Sequence, residues 1–275
     1  MGLDSRLVTE DVLARLAALP EVAEVCEAAR GQVDRLLFDR AIRSHGGRLA
    51  DEVLGAAAHA SAVLEGAEIS YDGFRSGAAL DGSPIGRVGD AALRLQRELP
   101  GLVDIWRSAP LQALARMHAV VGVGFVGEDQ LGRPRRSAGT LPDDPLRIGT
   151  APPADEVAAR LETLVQLLRR PTEAPALVVA GVVHGELAVL RPFVWGSGLV
   201  ARSAGRLSLA SRVLDPDFLV PVEAGIVAMG RPKYVTALRG FASGSPDGLA
   251  SWLILHADAT AIAARQAHTL LATLS

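Results

Sequence analysis

The chain has 275 residues, of which 49% are hydrophobic and 21% charged, with a formal net charge of −3 and a mean hydropathy of +0.25. That much apolar surface excludes a disordered chain, and the lack of a basic excess excludes an electrostatic footprint for nucleic acid or an acidic lipid surface. The length suits one large domain, or one domain with a helical extension.

The most apolar windows, Ala176–Leu190 and Leu249–Ala264, contain His184 with Glu186 and His256 with Asp258. Both are too short and too polar to read as membrane spans. The opening MGLDSRLVTEDV has no basic stretch leading into an apolar one, so a cytoplasmic location is expected. A single cysteine, Cys26, rules out an internal disulfide framework and a thiolate metal cluster.

Apolar spacing is helical along nearly the whole chain. Val22–Arg43 predicts one helix, with Val22, Val25, Cys26, Ala29, Val33, Leu36, Leu37 and Ala41 on one face and His45-Gly46-Gly47 as its stop. Asp51–Leu64 predicts a second, ended by Gly66. The glycine-rich stretch Asp72–Gly86 reads as a loop. Asp90–Leu99, with Asp90 as N-cap, and Pro110–Val121 follow as helices, separated by a break at Pro100-Gly101.

Gly122–Pro153 changes character, with many turn formers, the basic run Arg133-Pro134-Arg135-Arg136 and a short extended candidate, Leu146–Gly149. It reads as a surface loop carrying a small β-hairpin. Helical spacing resumes at Ala154–Leu168, Ala176–Val189, Gly198–Arg212, Pro221–Met229 and Leu249–Leu271, while Ser245-Pro246-Asp247-Gly248 reads as a turn. The expected class is all-α with a minor hairpin.

Several apparent motifs reduce to structure. Gly122-Val-Gly124-Phe-Val-Gly127 follows a helix, where a dinucleotide site needs a strand. His184-Gly-Glu186 lacks the thiolates of a zinc deaminase. Cys26 and His184 both sit on apolar helix faces and read as core residues.

Ala180–Pro216 is different: helix, tight loop, helix. Pro192 breaks the first helix, and Gly196-Ser197-Gly198 forms a loop whose backbone can approach a ligand. The free N–H groups and positive dipole end of the next helix point into that loop, and Arg202 lies one turn further along. Such an arrangement suits a phosphate, though a plain helical hairpin has the same pattern.

At these residues the sequence resembles the Fic (Fido-domain, filamentation induced by cAMP) family, whose signature is HPFxDGNGRxxR, preceded by a helix AxxHxxFxxI. Arg191-Pro192-Phe193-Val194-Trp195-Gly196-Ser197-Gly198-Leu199-Val200-Ala201-Arg202 keeps the spacing, both glycines, the Pro-Phe pair and the last arginine. His184, Leu187 and Leu190 fit the upstream helix in frame. Ser61-Ala-Val-Leu-Glu65-Gly66 is similar to the family's inhibitory motif [ST]xxxE[GN]. Leu146–Val165 resembles its target-docking flap and following helix, and Ala237–Ala259 its closing helix.

The resemblance implies a Fic-type helical domain over 106–275, with a flap hairpin and an N-terminal helical region, 1–105, packed on it. It implies nucleotide or anion binding at Gly196, Ser197, Gly198 and Arg202. It also implies an inhibitory role for Ser61, Glu65 and Gly66, with Glu65 paired to Arg202. The departures from the signature fall on its chemistry. Arg191 replaces the histidine base, and a guanidinium does not accept a proton at neutral pH. Trp195 replaces the acidic Mg²⁺ ligand and offers no oxygen, so the motif is not expected to hold Mg²⁺. Leu199 replaces one phosphate-clamping arginine.

The expected function is therefore that of an impaired or non-catalytic relative. It would bind ATP or another nucleotide, or a protein partner at the flap near Leu146–Gly149, with no nucleic acid or membrane partner. Oligomerisation stays open. The competing expectation is an active transferase moving a nucleotidyl or phosphate-containing group to a protein hydroxyl.

Overall fold

The computed structural model describes residues 11–136 and 141–274, and every regular element among them is helical. Asp11 caps α1 (Val12–Ala17) by accepting from the Ala14 amide. Pro20 then opens α2 (Pro20–Leu37), its missing N–H costing nothing at that position. Val22, Cys26, Ala29, Val33 and Leu36 form the buried stripe of α2, as their spacing predicts.

The end of α2 departs from the expectation. The chain turns at Phe38–Ala41, where the Asp39 carboxylate accepts from the Ala41 amide and reaches His268. The next helix, α3 (Ile42–Leu64), runs straight through Gly46 and Gly47. Those glycines lie in a helix whose apolar face, Leu49, Val53, Ala57 and Leu64, is fully buried. Burial of that face outweighs the ~1 kcal/mol that each glycine costs in a helix interior.

A second correction concerns 72–108. Ser70 caps a one-turn helix, α4 (Tyr71–Arg75), and Ser83 caps α5 (Pro84–Ser108), which continues through Pro100 and Gly101. An interior proline costs about 3 kcal/mol. Leu95, Leu99, Leu102 and Trp106 are buried on either side of it, each adding roughly 1.5–3 kcal/mol, so packing prevails over the break. Residue 105 lies inside this helix.

The remaining helices are α6 (Pro110–Gly122), α7 (Ala154–Arg169), α8 (Ala176–Leu190), α9 (Ser197–Ser211), α10 (Val222–Met229), α11 (Arg231–Ser243) and α12 (Pro246–Leu274). The expected turn at Ser245–Gly248 is the start of α12, with Ser245 Oγ accepting from the Gly248 amide. No helix among the described residues is long and apolar enough to cross a membrane.

The apolar side chains form one cluster running from Leu13 to Leu271. At its centre stands α8, buried on every side and paired with α9. Gly185 admits α12 to α8: a Cβ there would lie 2.7 Å from Trp252 Nε1. That indole donates to the Gly181 carbonyl at 2.7 Å.

The described part of the loop between α6 and α7 holds no strand, and the hairpin expected at Leu146–Gly149 is absent. The backbone there is already satisfied by side chains. Asp144 accepts from the Ile148 and Gly149 amides, Arg239 donates to the Arg147 and Ile148 carbonyls, Arg231 to Pro145 and Arg191 to Gly149. Most of the groups that strand pairing would use are thereby taken.

Candidate functional site

The loop between α8 and α9 is set by three residues. Arg191 leaves α8 in the left-handed region at φ 46°, Pro192 cannot continue a helix, and Gly196 at φ 74° turns the chain into α9. Ser197 Oγ accepts from the Phe193 amide and donates to the Phe193 carbonyl, closing the loop on itself. Phe193 is buried and stacks on His118, ring centroids 4.0 Å apart.

Arg135 holds the loop from below. Its guanidinium donates to the Leu190, Arg191 and Pro152 carbonyls at 2.6–2.9 Å, and its amide donates to Pro192. A surface position was expected for the Arg133–Arg136 run, but Arg135 is buried because it serves the open C-terminal carbonyls of α8.

Arg202 projects from the second turn of α9 and is 2% exposed. Its Nε donates to Ser61 Oγ at 2.8 Å, and Nη2 to the Ser61 carbonyl at 3.1 Å and to Glu65 Oε1 at 2.5 Å. Nη1 is buried with no hydrogen-bond partner. Gly198 explains how this packs: a Cβ there would fall 2.1 Å from Glu65 Oε1 and 3.1 Å from Arg202 Nη1. Glu65, the C-cap of α3, therefore lays its carboxylate over the first turn of α9, and Gly66 at φ 87° lets the chain leave immediately.

A second carboxylate approaches from the loop. The Asp143 amide donates to the Val194 carbonyl at 2.9 Å, and Oδ2 accepts from the Gly196 amide at 3.5 Å. Burial pushes the Asp143 carboxyl up to about 7; the charges of Glu65 and Asp144 add to this, and the Gly196 amide and Arg191 oppose it. Next to it, Arg191 is buried and paired with Asp144 at 2.9 Å.

Trp195 stacks on Phe125 with centroids 3.6 Å apart, and Arg87 covers the Phe125 ring. Leu199 is fully buried in the core. His184 is a core residue: its Nε2 lies 2.8 Å from the Tyr234 hydroxyl, and its ring sits between Trp252 and His256. Burial, helped by His256 and Arg202, holds it well below the usual histidine range.

Mg²⁺ does not fit these residues. Trp195 brings no oxygen, Glu65 Oε1 is committed to Arg202, and among the described residues no group of three or more His, Cys, Asp or Glu converges on one point.

Ser61, Glu65, Gly66, Arg191, Pro192, Phe193, Gly196, Ser197, Gly198 and Arg202 are thus drawn to one place, the N-terminus of α9. Asp143, Arg135, His118 and Phe125 join them without having been singled out by their spacing. For Asp143 the available signal was Pro142-Asp143-Asp144-Pro145, adjacent acids between prolines, and for Arg135 the basic run Arg133–Arg136.

No protein-family model matches this sequence, and neither does any curated protein. Solved structures do match. A Fic family protein from Desulfovibrio desulfuricans superposes with a TM-score of 0.73 at 22% identity, over 91% of this chain and 75% of that one. The chain has the Fic fold. Fic-1 from C. elegans gives a TM-score of 0.66 at 18% identity, over 92% of this chain and 74% of its own, and a point variant of it gives 0.66 at 17%.

Proposed function

We propose that this chain is a Fic-fold protein that binds a phosphate-bearing ligand, a nucleotide such as ATP, at Gly196–Arg202, and has lost ordinary AMP transfer. The observation that carries the reading is Arg202 Nη1. That nitrogen is buried, makes no hydrogen bond of its own and lies 3.1 Å from the Cβ position of Gly198 in the first turn of α9, while the guanidinium as a whole also faces the Tyr234 hydroxyl. Helix amides and a guanidinium together are what a phosphate oxygen requires.

Transfer chemistry lacks its parts. At the position of the signature base, Arg191 is tied to Asp144, and a guanidinium cannot take the proton of an attacking hydroxyl. Absence of a general base costs about 10²–10⁴ in rate. In the family the motif resembles, the residue at Glu65 is inhibitory, and here its carboxylate covers Gly198 and holds Arg202. A protein partner at the flap would have to engage side chains, since the carbonyls of Pro145, Arg147, Ile148 and Gly149 are already occupied.

Titration calorimetry with ATP, with and without Mg²⁺, on the wild type and on Glu65→Ala tests this. The expected result is metal-independent binding, weak in the wild type and tighter in the variant. No heat in either protein, or tight binding that depends on Mg²⁺, would overturn it.

A further inference from the structure

Glu65 is not the sole carboxylate at the start of α9. It covers Gly198 from the end of α3, while Asp143 reaches the Gly196 amide from the loop between α6 and α7. The two carboxylates are close enough for the charge of Glu65 to act on Asp143. Two cations beside them are already engaged: the Arg202 guanidinium is bonded to Glu65 and Ser61, and Arg191, whose charge also reaches Asp143, to Asp144.

An N-terminal helix turn offers few free amides, and a ligand oxygen can use Gly196 only where no other acceptor is seated. We propose that Asp143 is a built-in competitor for the anion site, its ionised carboxylate occupying the Gly196 amide that a ligand phosphate requires. Binding is then gated by protonation of Asp143. The inference rests on the phosphate-binding reading and specifies how that site is regulated.

The groups facing Asp143 fix the direction of the gate. Glu65 from the end of α3 and Asp144 from its own loop disfavour its ionised form, whereas Arg191 from the end of α8 and the Gly196 amide of α9 favour it. With burial, the balance leaves the carboxyl titrating at about 7, inside the accessible pH range. Below that pH the neutral carboxyl is a weaker acceptor for the Gly196 amide, so a ligand oxygen displaces it more readily, and it no longer repels an incoming anion by its charge. Above it, both carboxylates face the ligand.

Sulfate is a suitable probe because its own charge does not change between pH 6 and 8. With the competent form present at about nine-tenths at pH 6 and about one-tenth at pH 8, wild-type protein should bind sulfate about tenfold more tightly at pH 6. Asp143→Asn and Asp143→Ala should bind at both pH values with at least the affinity of wild type at pH 6. Calorimetric titration of the three proteins at both pH values, repeated with ATP, reads this directly. A wild-type affinity that is the same at pH 6 and 8, or a tenfold change that survives in both variants, overturns the gate and leaves the site. If none of the three binds sulfate or ATP at either pH, the binding reading falls, and the gate with it.

Discussion

Glu65 Oε1 lies 2.5 Å from Arg202 Nη2, with 3% and 1% of the two side chains exposed. The contact joins α3 to α9 across 137 residues of sequence. A charge left alone in such surroundings has no water to turn to, so Glu65→Ala is expected to cost about 3–5 kcal/mol. Arg202→Ala should cost at least as much, since it also strips Ser61 of its donor and leaves the Glu65 carboxylate near Asp143. The double variant should lose clearly less than the two single losses combined. Urea denaturation of the four proteins measures the coupling; strictly additive losses would contradict it.

Arg135 is expected to be as important to the loop as any residue of the motif. It donates to the Leu190 and Arg191 carbonyls where α8 ends and to the Pro152 carbonyl just before α7. Hydrogen bonds from a charged donor contribute about 1.5–3 kcal/mol each, and losses at one guanidinium overlap. Arg135→Ala should therefore lower stability by about 3 kcal/mol or more. Arg135→Lys should restore little of it, because a single ammonium cannot span carbonyls arranged for a planar fork. Thermal unfolding of both variants decides this, and full rescue by lysine would show that charge alone matters.

Much of this architecture could be read before any coordinates. The limits of α8 and α9 follow from Pro175, Pro192 and Gly196, which act locally. The meeting of Ser61 and Glu65 with Arg202 was legible because two short motifs, each in register, imply it. Gly46-Gly47 and Pro100-Gly101 misled because local punctuation competes with burial, and the buried faces of α3 and α5 prevail. Asp143, Phe125 and Arg135 stayed hidden for another reason. They lie in or beside a loop without periodicity, and their partners, Gly196, Trp195 and Arg191, are more than fifty residues away in sequence. The fold and the Glu65–Arg202 contact were legible; the carboxylate on Gly196 was not.

Stability should fall in acid, with a slope set by buried histidines opposed by buried acids. Burial holds His118 and His256 down to about 4, and His184 well below its ordinary 6.5. The unfolded chain takes up those protons as pH drops below about 6.5 while the fold refuses them, so their contribution is complete above 6.5 and drains away toward 4. Asp143 and Asp215 work the other way. Burial raises them to about 7 and about 6, so the fold keeps protons that the unfolded chain releases, and this advantage is lost as pH rises through those values. Between pH 6 and 4 the three histidines are opposed by Asp143, Asp215 and the partly buried Asp258, whose carboxyls burial raises, so the acid limb is shallower than the histidines alone would make it. Asp143→Asn removes one opposing group and should steepen that limb by up to about 1.4 kcal/mol per pH unit. Denaturation midpoints at pH 4.5, 5 and 6 compare the two proteins; a shallower acid limb in the variant would contradict the assignment.

Leu199 bears on whether the missing clamp can be put back. It occupies the position of the first signature arginine, and here it is fully buried within the core cluster. A guanidinium placed there would leave water without a carboxylate waiting for it, because Glu65 is already bonded to Arg202. Leu199→Arg is therefore expected to destabilise the fold by about 4 kcal/mol or more, which for a chain of this size lowers the melting temperature by about 10 °C. Leu199→Met keeps the volume and the apolar character and should cost less than about 1.5 kcal/mol. Thermal unfolding separates the two cases. If Leu199→Arg melts with the wild type, the first turn of α9 has room for a second clamping charge, and the proposed loss of transfer chemistry rests on Arg191 and Trp195 alone. If it melts far below, the core has closed over the position, and restoring the signature would require rebuilding the packing around it.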